Sequence, residues 1–453
     1  MDDDKLEVIQ GAVPRILIGS NNAGLIVPLK TIQYSLRGLQ LTRCHLGWTI
    51  HSEIEPTYTE PSEQFHILMC SEAEDVELST LVKQMFKVED FGITRQDPKM
   101  SEEDERALDI MNRTLKRSGD RYEVGQLYKY NHFSFPDSKP QALRRLQIME
   151  KKMDSDPDFA KKYCQKIQEY LDKGYARKLE PKELDETPNT WYLPHFSVAN
   201  ANKFRLVMDA KAKSHGFSLN DLLLKGPDFV PSLIAVLMRG RKKKIAFMAH
   251  IREMFHQVLI RELDQNSQRF LWRGMNRSIA PQVYVMTVMI FGAVSSPSIA
   301  QFIKNFNAKE LEERLPGVQR AIVEQHYVDD YFDCADTNED AVELINRVIA
   351  AHDHGGFKLV KFRSNSEAVI QSINSFFHAV VDDDQSDAKI LGLKWNLKTD
   401  EFVFPLSFPQ LNELLRSGVL LPTKRELLKF MMSIFDPLNI LNPITIHLKI
   451  IFQ

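Results

Sequence analysis

His326-Tyr327-Val328-Asp329-Asp330-Tyr331 is the stretch on which the fold assignment of this chain depends. Two adjacent acids stand among apolar and aromatic residues, a pattern typical of a hairpin turn that holds a metal ion. Carboxylates are the hard oxygen ligands that Mg²⁺ prefers, and a pair of such ions about 4 Å apart supports phosphoryl transfer. Neighbouring strand residues point to opposite faces, so both acids reach one ion only if the chain turns sharply there. The alternative is a solvated turn, because Asp favours turns.

Length and charge restrict the number of domains and the classes of function that are expected. A chain of 453 residues exceeds the usual size of one hydrophobic core, so several domains or subdomains are expected. The formal charge of −3 gives no overall basic field of the kind that marks small nucleic-acid-binding proteins. Bases are nevertheless concentrated locally, most densely in residues 239–244. Such a run is either a solvated face or, beside a cleft, a source of phosphate contacts.

Cysteine use and hydropathy indicate an intracellular protein, most simply a cytoplasmic one. The four cysteines are widely separated, which argues against a disulfide framework and against a zinc ribbon. The first residues are acidic, unlike a secretory signal, and no apolar run approaches the ~20 residues of a membrane span. No membrane partner is therefore expected.

The pattern around the paired acids predicts a strand, a turn, a second strand and a helix. Residues 245–249 and 283–290 are apolar runs typical of buried strands. After the turn, Thr337 and Asp340 form a plausible capping box, and the helical stripe that follows ends at Gly355-Gly356.

Further elements are predicted on both sides of this block. Short apolar runs between residues 16 and 50 indicate a small β module. Helical spacing marks residues 78–86 and residues 141–179, the second of these closing near Gly174. Residues 390–404 are typical of a hairpin, and a helix is expected to begin near Thr423.

The order of the short motifs is more specific than any one of them. Together they resemble the reverse transcriptase of BEL/Pao long-terminal-repeat retrotransposons, from about residue 120 to the C-terminus. Besides the paired acids, the motifs are Trp191-Tyr192-Leu193-Pro194-His195, residues 203–209, Ser218-Leu219-Asn220-Asp221, Met254-Phe255-His256-Gln257-Val258, residues 291–297, His354-Gly355-Gly356-Phe357 and residues 433–438. In addition, Pro14-Arg15-Ile16-Leu17-Ile18-Gly19 looks like the C-terminal part of the aspartic protease of such elements.

This resemblance implies an α+β chain with the right-hand polymerase fold of fingers, palm and partial thumb, preceded by a small β protease remnant and a helical linker. The implied segments are a protease remnant at 1–55, an acidic helical linker at 56–120, fingers with an N-terminal extension at 121–244, palm with further fingers elements at 245–404, and the start of a truncated thumb or connection at 405–453.

The resemblance also implies roles for individual residues. Asp329 and Asp330 are the expected catalytic metal ligands, with Mg²⁺ or, alternatively, Mn²⁺ as the cofactor. Lys203 and Arg205 would hold the triphosphate of a deoxynucleotide, since Arg offers bidentate phosphate contacts. Phe255 would pack under its sugar. The implied partners are an RNA or DNA template–primer duplex and deoxynucleotide triphosphates, while the oligomeric state stays open.

The sequence departs from the family at the first catalytic acid. His250 occupies the position where the family pattern has an Asp, and Glu253 is not a compensating change because the pattern already has an acid there. Imidazole is neutral and prefers zinc, copper or nickel to magnesium. A hydrogen-bonded histidine beside a cleft is nevertheless favoured here over a zinc ligand. Loss of one carboxylate removes several kcal/mol of transition-state stabilisation, and each ~1.4 kcal/mol is tenfold in rate.

We therefore expect a reverse transcriptase by ancestry whose polymerase activity is weak or absent. One alternative is a catalytically inactive module that binds nucleic acid, and another is a transposon relic that lacks a stable fold. The sequence also has no Asp-Thr-Gly or Asp-Ser-Gly triplet, so the protease remnant is not expected to cut peptides.

Overall fold

A computed structural model describes residues 29–33, 40–44, 47–51, 100–200, 203–377, 387–404 and 422–452. The chain divides into two compact units: Met1–Asp97 with Phe408–Gln453, and Pro98–Ser407. The helix predicted at 78–86 and the apolar runs before residue 29 lie outside the described residues.

The described elements are numbered in chain order. The strands are β1 Lys30–Gln33, β2 Gln40–Cys44, β3 Gly47–His51, β4 Lys116–Ser118, β5 Arg121–Val124, β6 Ala176–Lys178, β7 His195–Asn200, β8 Lys203–Met208, β9 Ile245–Ile251, β10 Leu259–Ile260, β11 Arg269–Trp272, β12 Gln282–Met286, β13 His326–Tyr327, β14 Asp330–Ala335, β15 Leu359–Ser364, β16 Asp387–Ile390, β17 Leu393–Asn396 and β18 Glu401–Val403. The helices are α1 Glu102–Thr114, α2 Lys139–Ser155, α3 Pro157–Asp172, α4 Leu233–Arg239, α5 Glu262–Gln265, α6 Ser296–Leu311, α7 Val318–Glu324, α8 Asn338–His354, α9 Glu367–Phe377, α10 Lys424–Ser433 and α11 Asn442–Phe452.

The first unit contains a three-stranded antiparallel sheet in the order β1-β2-β3. Its helices α10 and α11 pack against each other. Helix α10 begins where the sequence predicts, because Thr423 accepts a hydrogen bond from the Glu426 backbone N–H and the Glu426 carboxylate accepts one from the Thr423 N–H. The predicted start of a helix near Thr423 is confirmed.

The second unit is built around a four-stranded antiparallel sheet in the order β13-β14-β9-β15. Strand β9 is buried from Ile245 to Ala249, as its continuous apolar run predicts. The β13–β14 hairpin places the paired acids at one end of this sheet. The predicted succession of strand, turn, strand and helix around the acids is therefore confirmed.

Helices α6, α7 and α8 supply buried apolar side chains to the core of this sheet. Thr337 caps α8 by accepting a hydrogen bond from the Asp340 N–H, as the sequence predicts. The helix ends at Gly355-Gly356. A Cβ on Gly356, which has φ of +77°, would lie 2.8 Å from the Asp120 carbonyl oxygen, so this position requires glycine.

A second core joins helices α2 and α3 to strands β7, β8, β11 and β12. The helical stretch predicted over 141–179 closes near Gly174, as expected, because α3 ends at Asp172, but it is divided into two helices. Asp156 breaks it: its backbone is extended, and its carboxylate accepts a hydrogen bond from the Phe159 N–H. Pro157, at the first position of α3, has no N–H with which to continue α2.

Two other predicted elements differ in extent. The strand predicted over 283–290 ends at Met286, after which Thr287 and Met289 donate backbone hydrogen bonds to Tyr175 and Val258 outside the β12 ladder. The hairpin predicted at 390–404 is a three-stranded antiparallel sheet in the order β16-β17-β18. Its buried Trp395 donates an indole N–H to Asp400 at 3.0 Å.

Asn220 links two motifs that are far apart in the sequence. Its amide N–H₂ donates to the Gly292 carbonyl, and its amide oxygen accepts from the Val294 N–H, both at 2.9 Å. Gly292 has φ of +117°, and a Cβ there would lie 2.5 Å from the Met208 carbonyl oxygen. These contacts fix the segment that leads into α6.

Candidate metal centre

The turn between β13 and β14 brings both acids to the same end of the sheet. Val328, at the turn, has φ of +59°, a left-handed conformation that is unusual for a β-branched residue. Two hydrogen bonds hold this backbone: Gln301 in α6 donates its Nε2–H to the Val328 carbonyl at 2.9 Å, and the Ile251 N–H donates to the Asp329 carbonyl at 2.7 Å. The sharp turn predicted at the acids is present.

His250 lies beside these acids because β9 pairs with β14, with His250 directly opposite Asp330. Its Nδ1 is 3.1 Å from Asp330 Oδ1 and 3.6 Å from Asp329 Oδ2. The three residues can each place one ligand atom within 4.8 Å of the others. Their side chains are 33%, 33% and 40% exposed for His250, Asp330 and Asp329, so the cluster is accessible to solvent.

The electrostatics of Asp329 reflect its surroundings. Burial raises its pKa, the Asp330 carboxylate raises it further, and His250 and Arg205 act in the opposite direction. The effect of Arg205 places the cation of this residue within electrostatic range of the carboxylates. Strand β8 therefore contributes a positive charge that acts on Asp329 without an ion pair.

The residues predicted to hold a nucleotide have different positions. Arg205 is exposed on β8. Lys203 begins the same strand, but its side chain lies outside the described residues. Phe255 is partly buried and packs against Phe291, with ring centroids 4.9 Å apart. The roles of Arg205, Lys203 and Phe255 at a nucleotide therefore stay predictions.

Glu253 binds residues outside the cluster, which agrees with the expectation that it does not replace the missing catalytic acid. Its carboxylate accepts hydrogen bonds from Lys173 Nζ and the Tyr175 hydroxyl, each at 2.9 Å. These two partners hold the pKa of Glu253 below its usual value despite burial, which acts in the opposite direction. Its side chain therefore anchors the C-terminal end of α3 to the 3₁₀ turn at Met254–Gln257.

The donor set of this cluster does not fit Mg²⁺ fully. The carboxylates of Asp329 and Asp330 are suitable oxygen ligands, but a Mg²⁺ ion takes near-octahedral oxygen coordination and the imidazole nitrogen of His250 is a poor substitute. Only two of the three groups are therefore suited to the cation that the sequence predicts.

A second polar cluster lies on the buried side of the same hairpin and was not predicted. His352 Nε2 and His326 Nε2 are 2.9 Å apart, and the Lys304 ammonium donates to the Ile322 carbonyl at 2.9 Å. All three side chains are buried. Burial lowers the pKa of Lys304 to about 7 and that of His352 to about 3, and it lowers the pKa of His326 strongly. The sequence did not predict that these His and Lys side chains meet, because their spacing matches no motif.

Gln301 was also not predicted. It is buried, and besides its bond to Val328 it has a side-chain oxygen without a hydrogen-bond partner among the described residues. The one feature of the sequence that could have indicated it is a polar residue on the inner face of helix α6, which begins at Ser296.

One family comparison indicates the class of protein. Residues 423–453 match the model described as the Pao retrotransposon-like RNaseH-like domain. This match supports a Pao retrotransposon-derived protein. It covers residues that the sequence assigns to the start of the thumb or connection, and it does not reach the His250 cluster. No curated protein matches the chain.

Among the described residues, every helix is too short or too polar to span a bilayer.

Proposed function

We propose that this chain comprises the fingers, the palm and the beginning of the thumb of a BEL/Pao reverse transcriptase, preceded by the remnant of an aspartic protease. Its reaction is RNA-templated DNA synthesis, weakened by His250. The family match supports the retrotransposon origin, and the motifs described above support the finer assignment.

One observation carries the proposal of weakened activity. His250 lies opposite Asp330 on adjacent strands, with its Nδ1 close to both carboxylates. An Asp at this position would supply a third carboxylate to the same small volume. Imidazole instead leaves the site with two oxygen-donating side chains, so Mg²⁺, or Mn²⁺ in its place, is held weakly.

The exposed side chain of Arg205 fits the binding of an anionic substrate. It is near the acidic turn, and its guanidinium can make bidentate contacts with the triphosphate of a deoxynucleotide. Lys203 on the same strand and Phe255 in the 3₁₀ turn after β9 complete the proposed nucleotide site. The duplex of template and primer would lie over the end of the sheet.

Primer extension tests this proposal directly. An RNA template with a DNA primer is incubated with Mg²⁺ or Mn²⁺ and either the natural chain or His250→Asp. We expect little product from the natural chain and at least about tenfold more from His250→Asp, since one restored carboxylate is worth several kcal/mol. The double variant His250→Asp/Asp329→Asn is the control and should lose this gain. Equal, robust synthesis by the natural chain and His250→Asp would contradict the proposal.

A module that binds nucleic acid without extending it is the second candidate. The exposed Arg205, whose charge acts on the pKa of Asp329, favours it, because phosphate contacts need no metal. Filter binding of a template–primer duplex at several salt concentrations measures this activity. Arg205→Ala should weaken binding and reduce the salt dependence, whereas Arg113→Ala, at an exposed arginine on α1, should not. Binding by both the natural chain and His250→Asp, with extension by neither, would favour this candidate.

A relic without a stable fold is the third possibility that the sequence raised. The extensive buried cores of the second unit argue against it. A single cooperative thermal transition is expected, and a broad, uncooperative transition would indicate the relic.

A further inference from the structure

We propose that His250, Asp329 and Asp330 form a mixed nitrogen–oxygen site that binds Zn²⁺ in preference to Mg²⁺. This inference concerns the site of the proposed function and goes beyond it, because the histidine changes which cation the chain binds. It requires neither polymerase activity nor nucleic acid.

The spacing of the donor atoms supports a tetrahedral ion. Zinc bonds to nitrogen and oxygen of about 2.0–2.1 Å place neighbouring ligand atoms about 3.3 Å apart in a tetrahedron. The distances from His250 Nδ1 to Asp330 Oδ1 and to Asp329 Oδ2, 3.1 and 3.6 Å, lie on either side of that value. The third separation, between the two carboxylate oxygens, is at most 4.8 Å.

The chemistry of the donors gives the selectivity. Zn²⁺ accepts both imidazole nitrogen and carboxylate oxygen, and its catalytic sites take three protein ligands with an open fourth position. Mg²⁺ gains little from imidazole. The partial exposure of the three side chains leaves room for water or an anion at the open position.

The backbone presents these donors together before any ion binds. The β9–β14 pairing holds Asp330 and His250 opposite each other. The backbone of Asp329 is fixed because its carbonyl accepts a hydrogen bond from the Ile251 N–H. Among the described side chains, neither carboxylate has a lysine or arginine within ion-pair distance. A bound Zn²⁺ therefore has to displace only the hydrogen bond between His250 Nδ1 and Asp330 Oδ1.

Isothermal titration of the full chain with ZnCl₂ and with MgCl₂, without nucleic acid, measures this preference. We expect the natural chain to bind Zn²⁺ at least tenfold more tightly than Mg²⁺. His250→Ala should weaken Zn²⁺ binding at least tenfold, while His132→Ala, at an exposed histidine outside the cluster, should not. His250→Asp should lower the ratio of zinc to magnesium affinity.

A spectroscopic readout identifies the ligands. Co²⁺ in place of Zn²⁺ should give visible absorption bands typical of tetrahedral coordination, and these should be lost in His250→Ala and in Asp329→Asn. The second variant keeps the test decisive if the first does not fold, which circular dichroism would report. Zinc binding that is unchanged in both folded variants, or equal affinities for Zn²⁺ and Mg²⁺, would overturn the inference. The titration does not measure primer extension. A negative zinc result would therefore overturn the zinc site and leave the proposed polymerase function to be decided by the primer-extension assay.

Discussion

The two histidine clusters on the β13–β14 hairpin have opposite environments. On one side His250 lies beside two partly exposed carboxylates, and on the other His326 and His352 are buried near Lys304. The first cluster contains opposite charges and is open to water. The second contains only bases and is closed, so burial disfavours the charged form of each of its groups.

This difference shows what burial does to the same type of side chain. The exposed cluster can exchange an ion with solvent because its three side chains are partly exposed. In the buried cluster a proton on either imidazole would create an unpaired charge, and His352 Nδ1 has no hydrogen-bond partner among the described residues to stabilise it. We therefore expect the buried cluster to control stability and the exposed cluster to control binding.

The largest expected effect is a loss of stability at acidic pH. The pKa of His352 falls from 6.5 to about 3 on folding, and that of His326 also falls, so the unfolded chain binds protons that the folded chain does not. Stability should therefore decrease as the pH falls below about 6.5, by a few kcal/mol in all. Thermal melting between pH 7 and pH 5 measures this loss, and a melting temperature that rises toward pH 5 would contradict the account.

Lys304 should extend this dependence to alkaline pH. Its pKa is about 7 in the folded chain and 10.5 as a free side chain, so the unfolded chain retains the proton over that interval and stability rises with pH. Lys304→Met should flatten the rise in melting temperature between about pH 7 and pH 10. Lys309→Met, at an exposed lysine of the same helix, is the matched control. Parallel curves for Lys304→Met and the natural chain would show that the buried amine is not responsible.

A moderate effect is expected at Gln301, which connects helix α6 to the acidic turn. Gln301→Leu removes the hydrogen bond to the Val328 carbonyl and should cost about 1 kcal/mol of unfolding free energy. It should also weaken Zn²⁺ binding, since the turn that carries Asp329 is less well fixed. Denaturant unfolding and zinc titration measure the two effects. Gln319→Leu, at an exposed position of α7, should change neither.

The smallest expected effect on stability is at the exposed cluster. Asp330→Asn removes the negative charge beside His250, but because both side chains are about one third exposed, the cost should stay below about 1 kcal/mol. Zinc affinity should nevertheless fall at least tenfold. A large loss of stability would mean that the exposed cluster is structural and would remove the contrast between the two sides of the hairpin.

The sequence predicted the parts of the fold that depend on local patterns. The acidic turn, the buried run of β9, the Thr337 cap and the start of α10 at Thr423 are local, and each was located correctly. The helical character of 141–179 and its end near Gly174 were also predicted, but the break at Asp156 was not. The apolar spacing continues through this residue, where capping and Pro157 end one helix and begin the next.

The candidate site was predicted in its main residues but not in its supports. His250, Asp329 and Asp330 were linked through the order of motifs, and the structure brings them together. Gln301 and the buried Lys304, His326 and His352 could not be predicted, because their contacts depend on how α6 and α8 pack against the hairpin. Distances between helices are not encoded in any short stretch of sequence.

The two hydrogen bonds that the Asn220 side chain makes have a consequence for how this sequence can diverge. They bind the Gly292 and Val294 main chain rather than their side chains, so residues in this loop can be exchanged without losing the two bonds. Gly292 is the exception, because its backbone approaches Met208 too closely for any Cβ. Sequence divergence should therefore spare Asn220 and Gly292 while altering their neighbours, and the start of α6 should keep its position.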